Sequence, residues 1–191
     1  MGMPAVTSQG WTRGEVLALI DANPLLTPRY ELVGGELLVT PGPAALHQKT
    51  VLQLIVALHG FLERTGVGEL LLSPSDVQLE SDSLVQPDLY VVPPDEGRRL
   101  IGANTARVLL LAIEVLSPGS GRYDRGPKRA FYQRNVPEYW IVDTQTRLIE
   151  RWRQADEQPK ILRERLVWRP SGAETPFVLD LQRYFARIFG E

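Results

Sequence analysis

The sequence contains no cysteine. This absence excludes zinc–thiolate sites, thiol nucleophiles and iron–sulfur clusters. The sequence also has no apolar run of the roughly 18 residues that a membrane span requires, and residues 1–10 lack the basic-then-apolar order of a signal peptide. We therefore expect a cytoplasmic protein that has no membrane partner.

A strong net charge is also missing. The chain has 21 Lys and Arg against 23 Asp and Glu, so its formal charge is −2, and the overall field does not favour a polyanion. The window 121–134 is the local exception, with five basic residues and one acid. From this window Arg122, Arg125 and Arg129 are the predicted nucleic-acid-binding residues, and an ordinary solvated helix face is the alternative.

Nothing in the sequence separates two domains. The 191 residues show no internal repeat, no low-complexity tract and no long linker, and 43% of them are hydrophobic. A chain of this length can bury a core of its own. We therefore expect residues 1–191 to form a single domain.

Apolar periodicity and capping signals predict four helices. Thr12 and Glu15 form a capping-box pattern that begins a first helix reaching Asn23. Apolar residues at spacings of three and four predict a long helix over 44–64. A third helix is expected over 124–134, with Pro127 tolerated in its first turn, and an amphipathic helix is expected near 181–188.

The remaining segments predict strands. Residues 30–40 alternate around a Gly-Gly pair, as in a hairpin. Runs rich in Leu and Val predict strands over 70–80, 88–92, 108–115 and 138–143, and 147–153 with 161–168 predict a closing hairpin. The core order is αβββαβ, an α/β (α+β) mixed sheet flanked by helices, with an added hairpin and terminal helices.

Three polar residues stand out against this apolar framework. Asp88 opens one strand, Glu114 ends a row of apolar residues on the face it shares with Ala112, and Lys128 lies on the helix face of Phe131. A carboxylate on an apolar strand must be paired, metal-bound or protonated. Two carboxylates and a lysine at one sheet edge suit Mg²⁺- or Mn²⁺-assisted phosphodiester hydrolysis, and the backbone carbonyl of Val115 could complete the metal shell.

Each of these residues also has a plain structural interpretation. Asp88 could cap a turn, Glu114 could pair with Arg122 or Arg125, and Lys128 could pair with Asp124 one helical turn earlier. The chain has only three Lys among its 21 basic residues. Because Arg is its usual cation, a lysine at position 128 indicates a need for a compact ammonium group.

Several motifs of this sequence resemble a known family. They are Pro-Asp at 87–88, EVLSP at 114–118, YDRGPK at 123–128 and VPEYWIVD at 136–143, with YELVGGEL at 30–37 and His-Gln at 47–48. Over about residues 28–153 they look like the bacterial family designated putative restriction endonucleases, within the PD-(D/E)XK nuclease superfamily. The stretch 114–143 carries the most specific part of the resemblance.

The resemblance implies a restriction endonuclease-like core, divalent-metal dependence and nucleic acid, DNA in particular, as substrate. By matching position, Asp88 and Glu114 become the metal ligands and Lys128 the catalytic lysine. The superfamily's usual lysine position, two residues after the second acid, is Leu116 here, and the family resemblance implies a lysine supplied from the next helix. Possible accessory residues of the site are Glu36, His47, Ser117 and Tyr123.

Three functions remain open from the sequence. A Mg²⁺- or Mn²⁺-dependent endodeoxyribonuclease is the leading prediction. A catalytically inactive module that binds nucleic acid or a protein partner, and a phosphodiesterase acting on small nucleotides, are the alternatives. We also expect a homodimer, because an open sheet leaves an edge to cover and duplex cleavage benefits from two symmetric sites.

Overall fold

The computed structural model describes residues 5–8, 10–23, 25 and 27–191. Within these residues the helices are α1 (Arg13–Ala22), α2 (Ala45–Thr65), α3 (Pro94–Leu100), α4 (Gly121–Arg125), α5 (Pro127–Asn135) and α6 (Leu181–Phe189). The strands are β1 (Ala5–Ser8), β2 (Arg29–Val33), β3 (Glu36–Thr40), β4 (Glu69–Leu72), β5 (Asp76–Val77), β6 (Leu89–Val92), β7 (Thr105–Ala106), β8 (Leu111–Val115), β9 (Glu138–Asp143), β10 (Leu148–Arg153), β11 (Lys160–Leu162), β12 (Arg165–Trp168) and β13 (Phe177–Asp180).

A six-stranded mixed sheet forms the centre of the fold. Its order is β11-β10-β9-β8-β6-β4, and every neighbouring pair is antiparallel except β8 with β9. A parallel pair needs a crossover connection, and here α4 and α5 supply it. The crossover packs α5 against β9 and β2 and brings Lys128 to Glu114 of β8.

Helices cover both faces of this sheet. On one face α2 and α6 bury an apolar cluster that includes Leu54, Leu58 and Trp140. On the other face α5 and the β2–β3 hairpin enclose a second cluster around Tyr90 and Tyr132. Helix α1 packs on the outer side of the hairpin. This arrangement confirms the predicted mixed sheet flanked by helices.

Several predicted elements occur at the expected positions. The capping box at Thr12 is present, with the Thr12 side chain accepting a hydrogen bond from the Glu15 backbone and the Glu15 carboxylate accepting one from the Thr12 backbone. The long helix, the strand over 138–143 and the C-terminal helix are also confirmed. The two helices have apolar residues at helical spacing, and the strand is a continuous buried run, so local pattern and tertiary packing agree.

Two predicted strands were too long. The strand expected over 70–80 ends at Leu72, because Pro74 has no backbone N–H for a sheet ladder, and Asp76–Val77 pairs separately with Thr105–Ala106. The strand expected over 108–115 begins only at Leu111, and Val108 is exposed. Val108 therefore does not continue the apolar row that ends at Glu114.

The predicted closing hairpin is confirmed for residues 161–162, which pair antiparallel with β10, and was wrong for residues 165–168. Strand β10 pairs with β9 and with the short β11, whereas β12 pairs with the unpredicted β13 in a separate two-stranded sheet. A bend at residues 163–164 divides β11 from β12. Helix α3 was missed because its seven residues carry no apolar stripe, although it has acids in its first turn and arginines in its last.

The single helix expected over 124–134 is two helices. Helix α4 ends at Arg125 and α5 begins at Pro127, and Gly126 between them has φ −105° and ψ −107°. Proline fits the first turn of a helix but disrupts an interior. The break places Lys128 in the first turn of α5, with its side chain facing the sheet.

No described helix is long and apolar enough to cross a membrane. Residues 1–4 and 9, part of the segment inspected for a signal peptide, lie outside the described residues. Strands β4 and β11 form the two edges of the central sheet. The homodimer expected to cover such an edge stays a prediction.

We expect Gly126→Ala to lower the free energy of unfolding by about 1–3 kcal/mol, as overpacked sites do. A Cβ at this position would lie 2.6 Å from the backbone carbonyl oxygen of Arg122, so the α4–α5 junction would have to move. Urea unfolding followed by circular dichroism measures the change. Gly102→Ala is the matched control, because its Cβ would meet nothing within 4 Å, and equal effects of the two substitutions would contradict this account.

Candidate active site

The two acids predicted as metal ligands lie opposite each other on neighbouring strands. Leu89 of β6 pairs with Ile113 of β8 in an antiparallel register. Continuing that register by one residue places Asp88 opposite Glu114 on the same face of the sheet. The backbone N–H of Val115 donates to Asp88 Oδ2 at 2.8 Å. Asp88 is 4% exposed and Glu114 is 2% exposed, so both acids are buried.

Three donors surround the Asp88 carboxylate. Arg29 Nη1 donates to Oδ1 at 2.9 Å, and His47 Nε2 lies 2.9 Å from Oδ2, where the Val115 N–H also binds. Burial by itself would raise the pKa of Asp88, but the hydrogen bond and charge of His47, the charge of Arg29 and the Val115 N–H outweigh burial and hold the pKa below its usual value. Asp88 is therefore an ionised carboxylate, fixed by tertiary contacts and not by a turn cap.

The pKa of Glu114 is shifted in the opposite direction to that of Asp88. Burial raises its pKa well above the usual value, Lys128 opposes this effect, and the negative charge of Asp88 adds to it. Glu114 Oε1 accepts hydrogen bonds from Lys128 Nζ at 2.9 Å and from the Tyr132 hydroxyl at 3.2 Å. Its ionic partner is Lys128, whereas Arg125 pairs with acids of β9 and β10.

Lys128 is buried among three carboxylates. Its Nζ lies 2.8 Å from Glu31 Oε2, 2.9 Å from Glu114 Oε1 and 4.0 Å from Asp124 Oδ1. Burial would lower the pKa of Lys128, but the charges of Glu114, Glu31 and Asp124 outweigh burial and raise it. Lys128 is therefore an ammonium ion that supplies positive charge, and it does not act as a base.

Sequence reasoning missed two residues of this cluster, Arg29 and Glu31. Both lie on β2, where alternation places them on the face that meets the sheet. Glu31 is fully buried, and its Oε1 accepts the backbone N–H of Gln86 at 2.8 Å. The signal was available for Glu31, which shares one face of the predicted hairpin strand with the apolar Val33, whereas Arg29 lies one residue before the predicted strand.

The accessory residues have varied positions. Glu36 pairs with Val33 beside the hairpin turn, and none of the hydrogen bonds among the described residues joins it to the Asp88–Glu114 cluster. The Ser117 backbone N–H donates to Ser120 Oγ at 3.0 Å, which shapes the turn before α4. Tyr123 is half-buried against the apolar cluster under α5. Of these four residues, His47 is the one that hydrogen-bonds Asp88 in the part of the chain that the structure describes.

The basic window does not present a uniformly free positive surface. Arg125 donates to Glu150 at 2.6 Å and to Asp143 at 2.9 Å. Arg129 lies over the Trp152 ring at 5.0 Å, and Arg122 is exposed. Most of the charge counted in the sequence is thus compensated by neighbours, which leaves Arg122 as the window's exposed arginine without an ion pair among the described residues.

Two clefts meet at His47. The first, which we call the α2 cleft, has a volume of about 430 Å³ and is lined by Thr27, Arg29, Pro43, His47, Gln48, Val51, Leu52, Ile55, Leu72, Ser73, Pro74 and Asp88. The second has a volume of about 450 Å³, and its lining includes His47, Leu116, Ser117, Arg125 and Thr144. Asp88 lines the α2 cleft, while Glu114 and Lys128 lie behind it in the interior.

The charges of the cluster favour a divalent cation. Four buried carboxylates, those of Glu31, Asp88, Glu114 and Asp124, face the two fixed cations Arg29 and Lys128. A bound divalent cation would favour the ionised forms of Glu114 and Asp124, whose pKa values burial raises. No group of three or more His, Cys, Asp or Glu side chains in the described part of the chain is arranged to coordinate an ion. Mg²⁺ commonly binds through one or two carboxylates, with water and phosphate as its other ligands. The donor set therefore fits a hard cation that the protein shares with a substrate.

Comparisons with known proteins agree with this architecture. The model of the Uma2 family, described as putative restriction endonuclease, matches residues 20–181. A crystal structure of a putative nuclease of DUF820 from Anabaena variabilis is similar, with a TM-score of 0.75 and 18% sequence identity over 91% of this chain and 98% of that chain. No curated protein matches. The structural likeness confirms the restriction endonuclease-like fold.

The Asp124 carboxyl should make stability depend on pH. Burial raises its pKa to about 6, with Lys128 opposing and the charges of Asp88 and Glu31 adding. Because the folded state holds this proton more tightly than the unfolded chain, the stability that the group contributes is lost as pH rises from about 4 through about 6. We therefore expect the unfolding free energy of Asp124→Asn, relative to the wild type, to increase between about pH 4.5 and pH 7.5. Urea unfolding in EDTA measures this difference, and a decrease across the same interval would contradict the assignment.

Proposed function

Because the chain belongs to the Uma2 family of putative restriction endonucleases, we propose that it hydrolyses phosphodiester bonds of DNA with a Mg²⁺ or Mn²⁺ ion. The family and the fold support a nuclease function. The observation that carries the proposal is the buried cluster in which Asp88 and Glu114 face each other and Lys128 contacts Glu114 at 2.9 Å. The excess of carboxylates over cations there favours an added divalent cation.

Asp88 and Glu114 would hold the ion, and the Val115 carbonyl is a further candidate ligand. The bound ion would polarise the scissile phosphate and lower the pKa of a coordinated water. Arg29 and His47 fix the Asp88 carboxylate from two sides, so its oxygens are positioned before substrate arrives. Such preorganisation reduces the reorganisation needed in the transition state.

Lys128 contributes a fixed positive charge next to Glu114. Its raised pKa keeps the ammonium protonated, and its contacts with Glu31 and Glu114 prevent it from swinging away. We propose that it stabilises negative charge that develops on the phosphate and orients the Glu114 carboxylate. Arg122, on the exposed surface of α4, is the candidate contact for the nucleic-acid backbone.

The activity test compares purified variants on supercoiled plasmid DNA with Mn²⁺ or Mg²⁺. We expect Asp88→Asn and Glu114→Gln each to reduce nicking by at least about a hundredfold, because removal of a single group that acts on the transition state commonly costs this much. Glu96→Gln is the matched control, since Glu96 is a buried acid that pairs with Arg99 outside the site. If the wild type nicks no faster than the Asp88→Asn variant on duplex, single-stranded DNA and RNA, the proposed hydrolysis is excluded.

Metal binding gives a second readout that does not need turnover. We expect Mn²⁺ to raise the thermal unfolding temperature of the wild type, because a ligand that binds only the folded state stabilises it by mass action. Asp88→Asn should lose this increase, and Glu96→Gln should retain it. Equal increases in all three proteins would show that the ion binds elsewhere, whereas binding of nucleic acid without any effect of metal would favour the inactive binding module.

A further inference from the structure

The α2 cleft combines an apolar wall with polar groups at its inner end. Its wall comes from one face of α2, including Val51, Leu52 and Ile55, and from Leu72 and Pro74 at the end of β4. Leu52 is 55% exposed, which is a large apolar side chain open to solvent. The inner end is formed by Arg29, His47 and Asp88, so the apolar wall leads directly to the candidate active site.

This lining is poorly suited to a sugar–phosphate backbone. Phosphates are usually contacted by Lys, Arg, polar side chains or backbone N–H groups. The one Arg of this cleft already donates to Ser73, to the Gln86 carbonyl and to Asp88, and besides His47 the uncharged polar side chains of the lining are those of Thr27, Gln48 and Ser73, beside a larger number of apolar residues. A nucleobase has apolar faces and a polar edge, which match the apolar wall and the amide of the exposed Gln48. A volume of about 430 Å³ falls in the range of small-ligand pockets.

We propose that the α2 cleft holds one unpaired nucleobase beside the scissile phosphate, so that the protein acts on single-stranded or locally opened nucleic acid. This inference rests on the proposed nuclease function and specifies its substrate class. A base inside a duplex is stacked and paired, and it enters such a cleft only after extrusion, which costs free energy. A single strand avoids that cost, and the cleft therefore selects unpaired nucleotides.

Helix α2 offers a matched pair of variants. Leu52 lines the cleft, and Val56, one turn further along the same helix and 60% exposed, does not line it. Leu52→Asp and Val56→Asp therefore add the same charge at similar exposure. Neither residue is part of the buried cluster, so both variants should fold. The neutral Leu52→Gln variant tests whether the effect of Leu52→Asp on binding is due to the added charge alone.

The experiment measures fluorescence anisotropy of short labelled DNA probes with EDTA and with Ca²⁺. The probes are a single strand, a blunt duplex of equal length and an abasic single strand with the same sugar–phosphate backbone. We expect the wild type to bind the single strand most tightly and the abasic strand more weakly. Leu52→Asp should lower affinity for the single strand about tenfold, in the range of one lost base contact, and Val56→Asp should change it by no more than about twofold.

Specific outcomes would overturn the proposal. Equal binding of the abasic and base-bearing strands, equal effects of the two aspartate variants, or no binding to any probe would each exclude a base in the cleft. Light scattering in which only Leu52→Asp lowers the molecular mass would identify the cleft as a protein interface instead. Asp88-dependent nicking together with any of these results would leave the nuclease function intact, whereas Leu52-dependent base binding without nicking would contradict only the nuclease function.

Discussion

The buried ammonium of Lys128 is the interaction on which the rest of the site depends. It joins three chain segments, because α5 supplies the lysine, β8 supplies Glu114 and β2 supplies Glu31. Leaving one member of a buried ion pair without its partner costs about 3–5 kcal/mol. The hairpin that carries Glu31 is therefore held against the sheet by the same charge that neutralises Glu114, so the fold of the hairpin and the electrostatics of the site are coupled.

The pKa values of the facing acids Asp88 and Glu114 differ because their neighbours differ. Asp88 contacts an arginine, a histidine and a backbone N–H, and these three groups keep its pKa low. Glu114 is buried with one cation, which it shares with Glu31, and burial together with the negative charge of Asp88 raises its pKa. Neighbouring carboxylates whose pKa values are shifted in opposite directions are typical of sites that stabilise charge or transfer protons. Strand β2 adds to this difference, since Arg29 lowers the pKa of Asp88 and the charge of Glu31 raises the pKa of Glu114.

Side-chain alternation along the strands and the periodicity of one helix were sufficient to predict that Asp88, Glu114 and Lys128 lie together. Those periodicities determine which side chains share a face. The same rule, applied to the hairpin strand predicted from residue 30, would also have found Glu31, whereas Arg29 lies just before that predicted strand. Other features could not be predicted from a short stretch of the sequence. The pairing of β12 with β13 depends on long-range packing, and the compensation of Arg125 by Asp143 and Glu150 is invisible to a count of charges within one window.

Access to the cluster follows from its burial. Glu114 and Lys128 lie in the interior, and Asp88 reaches the α2 cleft together with Arg29 and His47. Under the proposed function, a substrate would therefore meet the Asp88 side of the site first, along the face of α2 that begins at His47. Because His47 also lines the second cleft, a strand that occupies both clefts passes over this histidine, where its Nε2 already contacts Asp88. Under the proposed function, contacts that select the substrate would belong to α2 and its neighbouring loops, while the charges that act on the phosphate would come from the sheet, β2 and α5. This division lets the outer surface vary without disturbing the buried ion pairs.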